Sequence, residues 1–379
     1  MRIAIVTETW PPEINGVALT VQALARGLAG LGHAIELVRP RQPEKAAETE
    51  QGFEQLLLPG ASLPRYPGLR FGLPAHRSLH RHWSAQRPDV VYIATEGPLG
   101  LTALGAARRL GIAACTGFHT RFDDFAGHYG LGFLTPVVFA YLRRFHNRAA
   151  ATLVPTTELA TFLGEHGFRN VRLLRRAVDT TVFDPARRDD ALRAAWGAAP
   201  DDLVVVHVGR LAPEKNLDLA VRAFRAIQQH RPRARFVVVG DGPARAGLAA
   251  QHPDLIFAGV HRGEDLGRHY ASGDLFLFPS LTETFGNVTL EALASGVPVV
   301  AFDYGAAHEH IHEADAGTRV ALGDEAAFVA AASDLAERVA LAAAPLRRAA
   351  RDAVATLSPT SVATHFADLL GDLAMRRAA

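Results

Sequence analysis

The sequence predicts an α/β protein built as two doubly wound domains, each a parallel sheet with helices on both faces. Three observations carry that prediction. The chain has 379 residues, more than one hydrophobic core usually spans at roughly 150 residues per domain. Short Val- and Ile-rich runs alternate with longer amphipathic stretches, the pattern of β-α units on a sheet buried on both faces. The pattern also restarts after a polar, proline-containing stretch, Asp184-Pro-Ala-Arg-Arg-Asp-Asp190, whose composition suits a linker.

Taken in order, Ile3–Thr7 reads as the first strand, followed by a loop holding Trp10, Pro11, Pro12, Asn15 and Gly16. An amphipathic helix runs from Val17 to Gly30, Gly32-His33 closes it, and Ala34–Arg39 is the second strand. Further strands fall near Gln55–Leu58, Val90–Ile93, Ala113–Phe118 and Thr152–Pro155. The second series begins at Leu203–Gly209, an apolar run broken only by His207, with a charged loop and a helix over Leu217–Gln229. Phe236–Gly240, Leu255–Phe257, Leu275–Pro279 and Val299–Phe302 continue it, and a last helix spans Pro359 to Met375. The expected domains are residues 1–185 and 186–358, with 359–379 a helix packing back on the first.

Composition excludes several classes. Lys and Arg total 40 against 39 Asp and Glu, a net charge of +1, which argues against a dedicated nucleic-acid binder. Cys115 is the only cysteine, so no disulfide framework or cysteine zinc site forms and a reducing compartment is expected. Arg2–Thr7 is too short for the apolar region of a signal peptide and is followed by Glu8 and two prolines. No run approaches the ~20 apolar residues of a spanning helix, so the expected location is cytoplasmic. Lys45 and Lys215 are the only lysines, leaving 38 of the 40 basic residues as arginine. Codon bias accounts for the arginines; a lysine inside a loop of motif character calls for a local reason.

Ligands of open parallel sheets bind beyond the carboxyl ends of the strands, and with two domains the expected site is the cleft between them. Four post-strand loops stand out. Thr7-Glu-Thr-Trp-Pro-Pro-Glu-Ile-Asn-Gly16 delivers Gly16 to a helix start, where a phosphate can approach the backbone closely. Gly209-Arg-Leu-Ala-Pro-Glu-Lys-Asn216 sends Arg210 and Lys215 from one strand end, two cations suited to a pyrophosphate leaving group; the alternative is a solvated turn with Lys215 paired to Glu214. Ser280-Leu-Thr-Glu-Thr-Phe-Gly-Asn-Val-Thr-Leu-Glu-Ala292 places Glu283 in a loop and Glu291 eight residues on, inside a helix that begins near Asn287. Carboxylates accept hydrogen bonds from vicinal hydroxyls, so the pair suits a polyhydroxylated ligand. Thr116-Gly-Phe-His-Thr-Arg-Phe-Asp-Asp124 ends a strand at His119. Neither a Gly-x-Gly-x-x-Gly fingerprint nor a Walker loop follows these strands, which disfavours dinucleotide and ATPase chemistry.

Together the four loops resemble the retaining glycosyltransferases of family four, whose fold is GT-B. The resemblance extends over Arg176-Ala-Val-Asp-Thr-Thr-Val-Phe-Asp-Pro185, Val238-Val-Gly-Asp-Gly-Pro243 and Ala294-Ser-Gly-Val-Pro-Val299, and Glu283 and Glu291 fit the family's E-x7-E signature. The chain is similar to bacterial enzymes that move mannose from GDP-mannose to lipid acceptors, and to sulfoquinovosyl and glucuronosyl lipid synthases. The resemblance implies that Arg210 and Lys215 hold the donor pyrophosphate with Gly16, and that Glu283 binds the transferred sugar beside the N–H groups of Phe285 and Gly286. It implies that Glu291 holds the ribose, that Asn287 and Val288 open the donor-binding helix, and that Asp241, Gly242, Val260 and His261 border the base. His119, Arg210, Lys215 and Glu283 are the catalytic set it implies, with His119 beside the donor sugar.

The implied reaction is front-face displacement with retention, without a protein nucleophile. The sequence contains no Asp-x-Asp, which disfavours a metal-dependent GT-A enzyme; no cofactor and no obligatory divalent ion are expected. Expected partners are a nucleotide-sugar (GDP-mannose favoured over a UDP-sugar), a lipid or glycan acceptor and, peripherally, an anionic membrane, with no nucleic acid. Two departures from the family pattern stand out: Ala177 where relatives have glycine, and Ala306-Ala307 in place of a Gly-rich turn.

Other features admit other readings. His308, His310 and His312 alternate with Glu309 and Glu313, a metal set only if the segment were a strand. Arg65 to Trp83, with Arg70, Arg77 and Arg81, and Phe133 to Arg148, with Arg143 and Arg144, are basic and apolar enough to meet anionic headgroups; with arginine so abundant, a solvated face is the favoured reading of either. A nucleotide-sugar 2-epimerase and a non-catalytic sugar-binding protein share the two-domain plan; the phosphate clamp suits the first less well and is superfluous in the second.

Overall fold

A computed structural model describes residues 1–11, 16–41, 52–62, 70–119, 135–283, 285–312 and 314–378. The chain divides into two units, Met1–Arg176 with Pro359–Ala379, and Ala177–Ser358.

In the first unit the elements are β1 (Arg2–Val6), α1 (Gly16–Gly30), β2 (Ala34–Pro40), β3 (Glu54–Leu58), β4 (Gly60–Ser62), β5 (Arg70–Gly72), α2 (His76–Ala85) and β6 (Val90–Ile93). They continue with α3 (Pro98–Arg109), β7 (Ala113–Gly117), α4 (Thr135–His146), β8 (Ala151–Val154), α5 (Thr157–Glu165) and β9 (Val171–Leu173). Seven strands form a parallel sheet in the order β3-β2-β1-β6-β7-β8-β9, with β4 and β5 a separate antiparallel pair. β1, β6, β7 and β8 are buried along almost their whole length, which is why they read as continuous apolar runs.

In the second unit follow α6 (Asp190–Ala195), β10 (Val204–Val208), α7 (Leu217–His230), β11 (Arg235–Val239), α8 (Arg245–Gln251), β12 (Ile256–Gly259), α9 (Gly263–Ala271) and β13 (Leu275–Phe278). Then come α10 (Asn287–Ala294), β14 (Val299–Phe302), α11 (Gly305–His310), β15 (Gly317–Val320) and α12 (Glu325–Asp352). The six-stranded parallel sheet has the order β12-β11-β10-β13-β14-β15. Val204, Val206 and Val208 pack with Phe276 and Leu290 in one core, and Leu203 and Val205 pack with Phe224, Leu275 and Phe328 in another. Consecutive residues of a strand thus feed opposite layers, as the two-residue period requires. α13 (Pro359–Ala378) belongs to the first unit, where Phe366 meets Tyr92 edge to face at 5.0 Å and Ala363 lies so close to Gly27 that a Cβ there would sit 2.6 Å from it.

The expected linker is instead part of the second unit, and the division falls after Arg176 rather than at 185. Val178 donates its N–H to Leu357 O at 2.9 Å, and Val178 and Phe183 both enter that unit's core. Asp184 caps the short turn Pro185–Arg187, and Asp189 caps α6. Arg193, 2% exposed, donates to Asp274 and to the Ser272 and Asp202 carbonyls at 2.7–2.9 Å. Polar composition suggested a tether; here the polar groups are caps and buried anchors.

In both units the strand order reverses at a central strand, between β1 and β6 in one sheet and between β10 and β13 in the other. The loops that leave those strands border the crevice where ligands of doubly wound sheets bind.

Candidate active site

In the second unit the loops after β10 and β13 meet. Leu281 N donates to Glu214 O at 2.9 Å, and Tyr304 OH donates to Ser280 O at 2.7 Å. Lys215 ends the short turn Pro213–Lys215, and its ammonium donates to Glu283, which also accepts from Ser280 Oγ at 2.9 Å. The ammonium lies 5.6 Å from the centre of the Phe278 ring. Glu214 is taken by Arg210, so the solvated-turn alternative, Lys215 with Glu214, is not what forms. Arg210 itself is 67% exposed along its side chain, whereas Lys215 and Glu283 are 15% and 17% exposed. The site therefore holds one half-buried cation beside Glu283 and a second, exposed one beside Glu214.

Glycines bring the neighbouring backbone in. A Cβ on Gly240 would lie 1.9 Å from Gly209 O, and one on Gly242 would lie 2.4 Å from Leu211 O. Leu211 N donates to Asp241 O at 2.9 Å, and Asp241 Oδ1 accepts from Gly242 N at 2.7 Å. Asp241 and Gly242 are thus held against the residue after Arg210. Val260, just past β12, is 60% exposed.

Gly286 takes φ +89°, a left-handed value open to glycine at low cost, and precedes Asn287 and Val288 at the start of α10. Phe285 is buried; its carbonyl accepts from Ala306 N at 2.7 Å, and a Cβ on Gly305 would lie 2.6 Å from the same oxygen. The close approach expected of a Gly-rich turn is therefore supplied by Gly305, and Ala306-Ala307 are accommodated in α11. Glu283, Ser280, Tyr304 and Ala307 line one small cavity.

Glu291 stands in α10 and accepts from Tyr270 OH at 2.9 Å. Burial pushes its carboxyl up to about 7, against a smaller opposing effect of the Tyr270 hydrogen bond. Glu283 and Glu291 thus have different neighbours, one a cation and the other a phenol. Sequence reasoning missed Ser280, Tyr304 and Tyr270. Only the first lies in a loop that drew notice; the tyrosines arrive from α9 and from the end of β14, with no local signal.

In the first unit Gly16 opens α1, with empty space where a Cβ would stand; residues 12–15 of its loop lie outside the described residues. His119 follows β7 and is 8% exposed. Its ring is turned into the unit, with Nε2 2.6 Å from Tyr92 OH and Nδ1 3.0 Å from Arg176 Nη2. Burial, then the Arg176 charge, holds its pKa well below the ordinary imidazole value. Glu8, also unforeseen, accepts from Leu99 N at 2.9 Å at the start of α3, and burial raises its carboxyl to about 7.

The histidine ladder does not converge. In α11 His308 turns to Asp303 at 2.9 Å while His310 is buried 6.1 Å from the Phe285 ring; Glu313 lies outside the described residues. Among the described residues one other set, His261, Asp265 and His269, brings ligand atoms within 4.8 Å of one another. The two imidazoles are stacked at 3.8 Å and 25°, so their in-plane lone pairs do not point at a common position. Trp83, in the basic stretch considered for headgroups, is fully buried and donates to Glu36 at 2.7 Å; Arg65 lies outside the described residues.

Comparison with known proteins agrees with this architecture. Residues 14–182 match the family model for Glycosyltransferase Family 4, and residues 202–338 that for Glycosyl transferases group 1. A GDP-mannose-dependent alpha-mannosyltransferase of Mycolicibacterium smegmatis is 38% identical over 310 residues, 80% of each chain. The enzyme so named in Mycobacterium tuberculosis is 35% identical over 86% of this chain and 85% of its own. A sulfoquinovosyl transferase of Arabidopsis thaliana is 28% identical over 83% of this chain and 62% of its own. Among solved structures, Anabaena HepE in complex with UDP superposes with a TM-score of 0.76 at 18% identity, over 98% of this chain and 100% of that one. Sucrose-phosphate synthase from Thermosynechococcus elongatus gives 0.74 at 17% identity, over 98% of both chains. The chain belongs to glycosyltransferase family four: it is a glycosyltransferase with two Rossmann-like units of the GT-B class.

Proposed function

We propose that this enzyme transfers mannose from GDP-mannose, with retention, to a hydroxyl of a lipid or glycan acceptor. The observation that carries the reading is the meeting of Lys215 with Glu283 at the strand-order reversal of the second sheet, in a chain whose relatives at 35–38% identity are named for that donor. Lys215 and Arg210 neutralise the diphosphate as charge develops on it, so no divalent ion is required. Glu283 and the N–H groups at Phe285 and Gly286 hold the sugar, Glu291 the ribose hydroxyls, and Asp241, Gly242 and Val260 border the guanine. The anomeric C–O bond to phosphate breaks as the bond to the acceptor oxygen forms on the same face. The leaving phosphate oxygen takes the acceptor's proton, and GDP departs.

A lipid acceptor agrees with a groove of about 440 Å³ on the first unit, lined by Arg108, Arg109, Arg148 and His76. None of the three arginines has a carboxylate partner among the described residues, and burial and the charges of Arg108 and Arg144 lower the pKa of Arg148. Such a groove suits the phosphate of an anionic headgroup and contact at the membrane periphery. No described helix is long and apolar enough to cross a membrane.

The test is a melting-point panel with GDP, UDP, ADP and their sugars, with and without EDTA, on wild type, Lys215→Ala and Glu291→Ala. A ligand that binds only the native state raises the melting point. A shift with GDP compounds that EDTA leaves intact and both variants lose supports the reading. A UDP- or ADP-specific shift replaces the donor, and no shift at all removes the donor site. Radiolabelled mannose transfer from GDP-mannose to phosphatidylinositol or diacylglycerol vesicles, against methyl mannoside, then separates lipid from glycan acceptors.

A further inference from the structure

Arg176 is 8% exposed, and its Nε and Nη1 have no partner among the described residues. No carboxylate pairs with it among the described residues. Burial lowers its pKa to about 10, so it is still charged at neutral pH. An unpaired buried guanidinium costs several kcal/mol, and a stable fold gains nothing by keeping one. Its one directed contact among the described residues is from Nη2 to His119 Nδ1, at 3.0 Å.

That contact has one consistent proton arrangement. A guanidinium has donors and no acceptor, so Nδ1 of His119 presents its lone pair. The ring's single proton is then on Nε2, which donates to the Tyr92 oxygen at 2.6 Å. Protonating His119 would set an N–H against the guanidinium. The described groups that face the ring do not offset this. Arg176 and His146 both oppose a positive charge there. Tyr92 is buried, its ionisation suppressed by burial and by Cys115, and Phe366 covers it from α13. Glu96 reaches Tyr92 and His146 rather than His119. Gly117 leaves room for the arrangement: a Cβ there would lie 2.3 Å from Tyr92 OH and 2.4 Å from His119 Nε2.

We propose that Arg176 is a positioning residue that fixes His119 as the neutral Nε2–H tautomer, its one proton held on Tyr92, so that His119 stays uncharged during sugar transfer and does not act as a proton-transferring acid or base. The kinetic part rests on the transferase reading above; the tautomer does not.

The test is ¹⁵N NMR of the full chain labelled at histidine, with the His119 signal identified by its loss in His119→Asn. Wild type should show the Nε2–H form and no titration of His119 from pH 8 to 5.5. Arg176→Met should mix the tautomers and let His119 titrate near the ordinary imidazole value of about 6.5. Arg176→Lys, which also only donates, should restore the lock. Tyr92→Phe should leave Nε2–H in place, because the guanidinium alone dictates it, and this variant serves if Arg176→Met does not fold. In turnover of GDP-mannose with methyl mannoside, the Arg176→Met to wild-type rate ratio should drop roughly tenfold from pH 7.5 to 5.5, the fall in neutral imidazole for that pKa; the Arg176→Lys ratio should stay level. An Nδ1–H tautomer or a titrating His119 in wild type overturns the proposal, as does an unchanged tautomer in Arg176→Met. If GDP-mannose is not turned over while the NMR results hold, the donor assignment fails and the positioning role stands.

Discussion

Glu291→Gln should make the protein more stable and a weaker donor binder, and the stability gain should disappear in acid. Burial raises the Glu291 carboxyl from its ordinary 4.5 to about 7. Between those values the native state holds a proton that the unfolded chain has lost, so stability falls as pH rises through this window. At about 1.36 kcal/mol per pH unit, the rise from 4.5 to about 7 costs about 3 kcal/mol above pH 7 and nothing below pH 4.5. Glutamine does not ionise, and its amide oxygen can still accept from Tyr270 OH. Its amide N–H groups give back about 1 kcal/mol if left unpaired, for a net gain of about 2 kcal/mol at pH 8. For a unit of this size that is about 4–8 °C in the melting point. Calorimetry of wild type and variant at pH 8 and pH 4.5 reads it directly. Titration with GDP at pH 8 should show affinity about 10- to 100-fold lower, the worth of a hydrogen bond to a charged group. A variant no more stable than wild type at pH 8, or equally stabilised at both pH values, refutes the argument from burial. Unchanged GDP affinity refutes the ribose assignment.

Other outcomes follow from single contacts. Lys215→Ala leaves Glu283 without its ammonium partner and the diphosphate without its better-defined cation, and calorimetric titration should give GDP affinity about 10- to 100-fold lower. Gly240→Ala drives a Cβ to 1.9 Å from the Gly209 carbonyl, backbone against backbone; urea unfolding should show a loss of more than about 3 kcal/mol. Arg193→Met removes a guanidinium that serves Asp274 and two carbonyls while Arg188 still pairs with Asp274, and the same assay should register about 2–3 kcal/mol.

The fold was legible because its strands are buried on both faces. Val204–Val208 and Leu275–Phe278 are apolar at every position except His207, and that local signal needs no tertiary partner. Edge elements were harder: β9, the β4–β5 pair and β15 are short, half-exposed and not continuously apolar. The linker was misread because a capping aspartate and a solvated aspartate are the same letter. Asp184 and Asp189 become caps only once Phe183 and Arg193 are seated.

The sequence by itself placed Gly16, His119, Arg210, Lys215 and Glu283 after strands or at helix starts, and Glu291 in the helix that follows, because chain order and periodicity put loops at strand ends. The tertiary structure alone decided what each side chain meets. Lys215 found Glu283, 68 residues away, rather than its neighbour Glu214. Glu291 found Tyr270, and burial there raised its pKa. His119 found Arg176 and Tyr92, 57 and 27 residues away in opposite directions. Protonation state depends on burial and on charges within a few ångströms, and those neighbours come from strands and helices far apart in the chain. Residue type fixes what a group can do chemically, and the packed neighbours fix the form in which it does it.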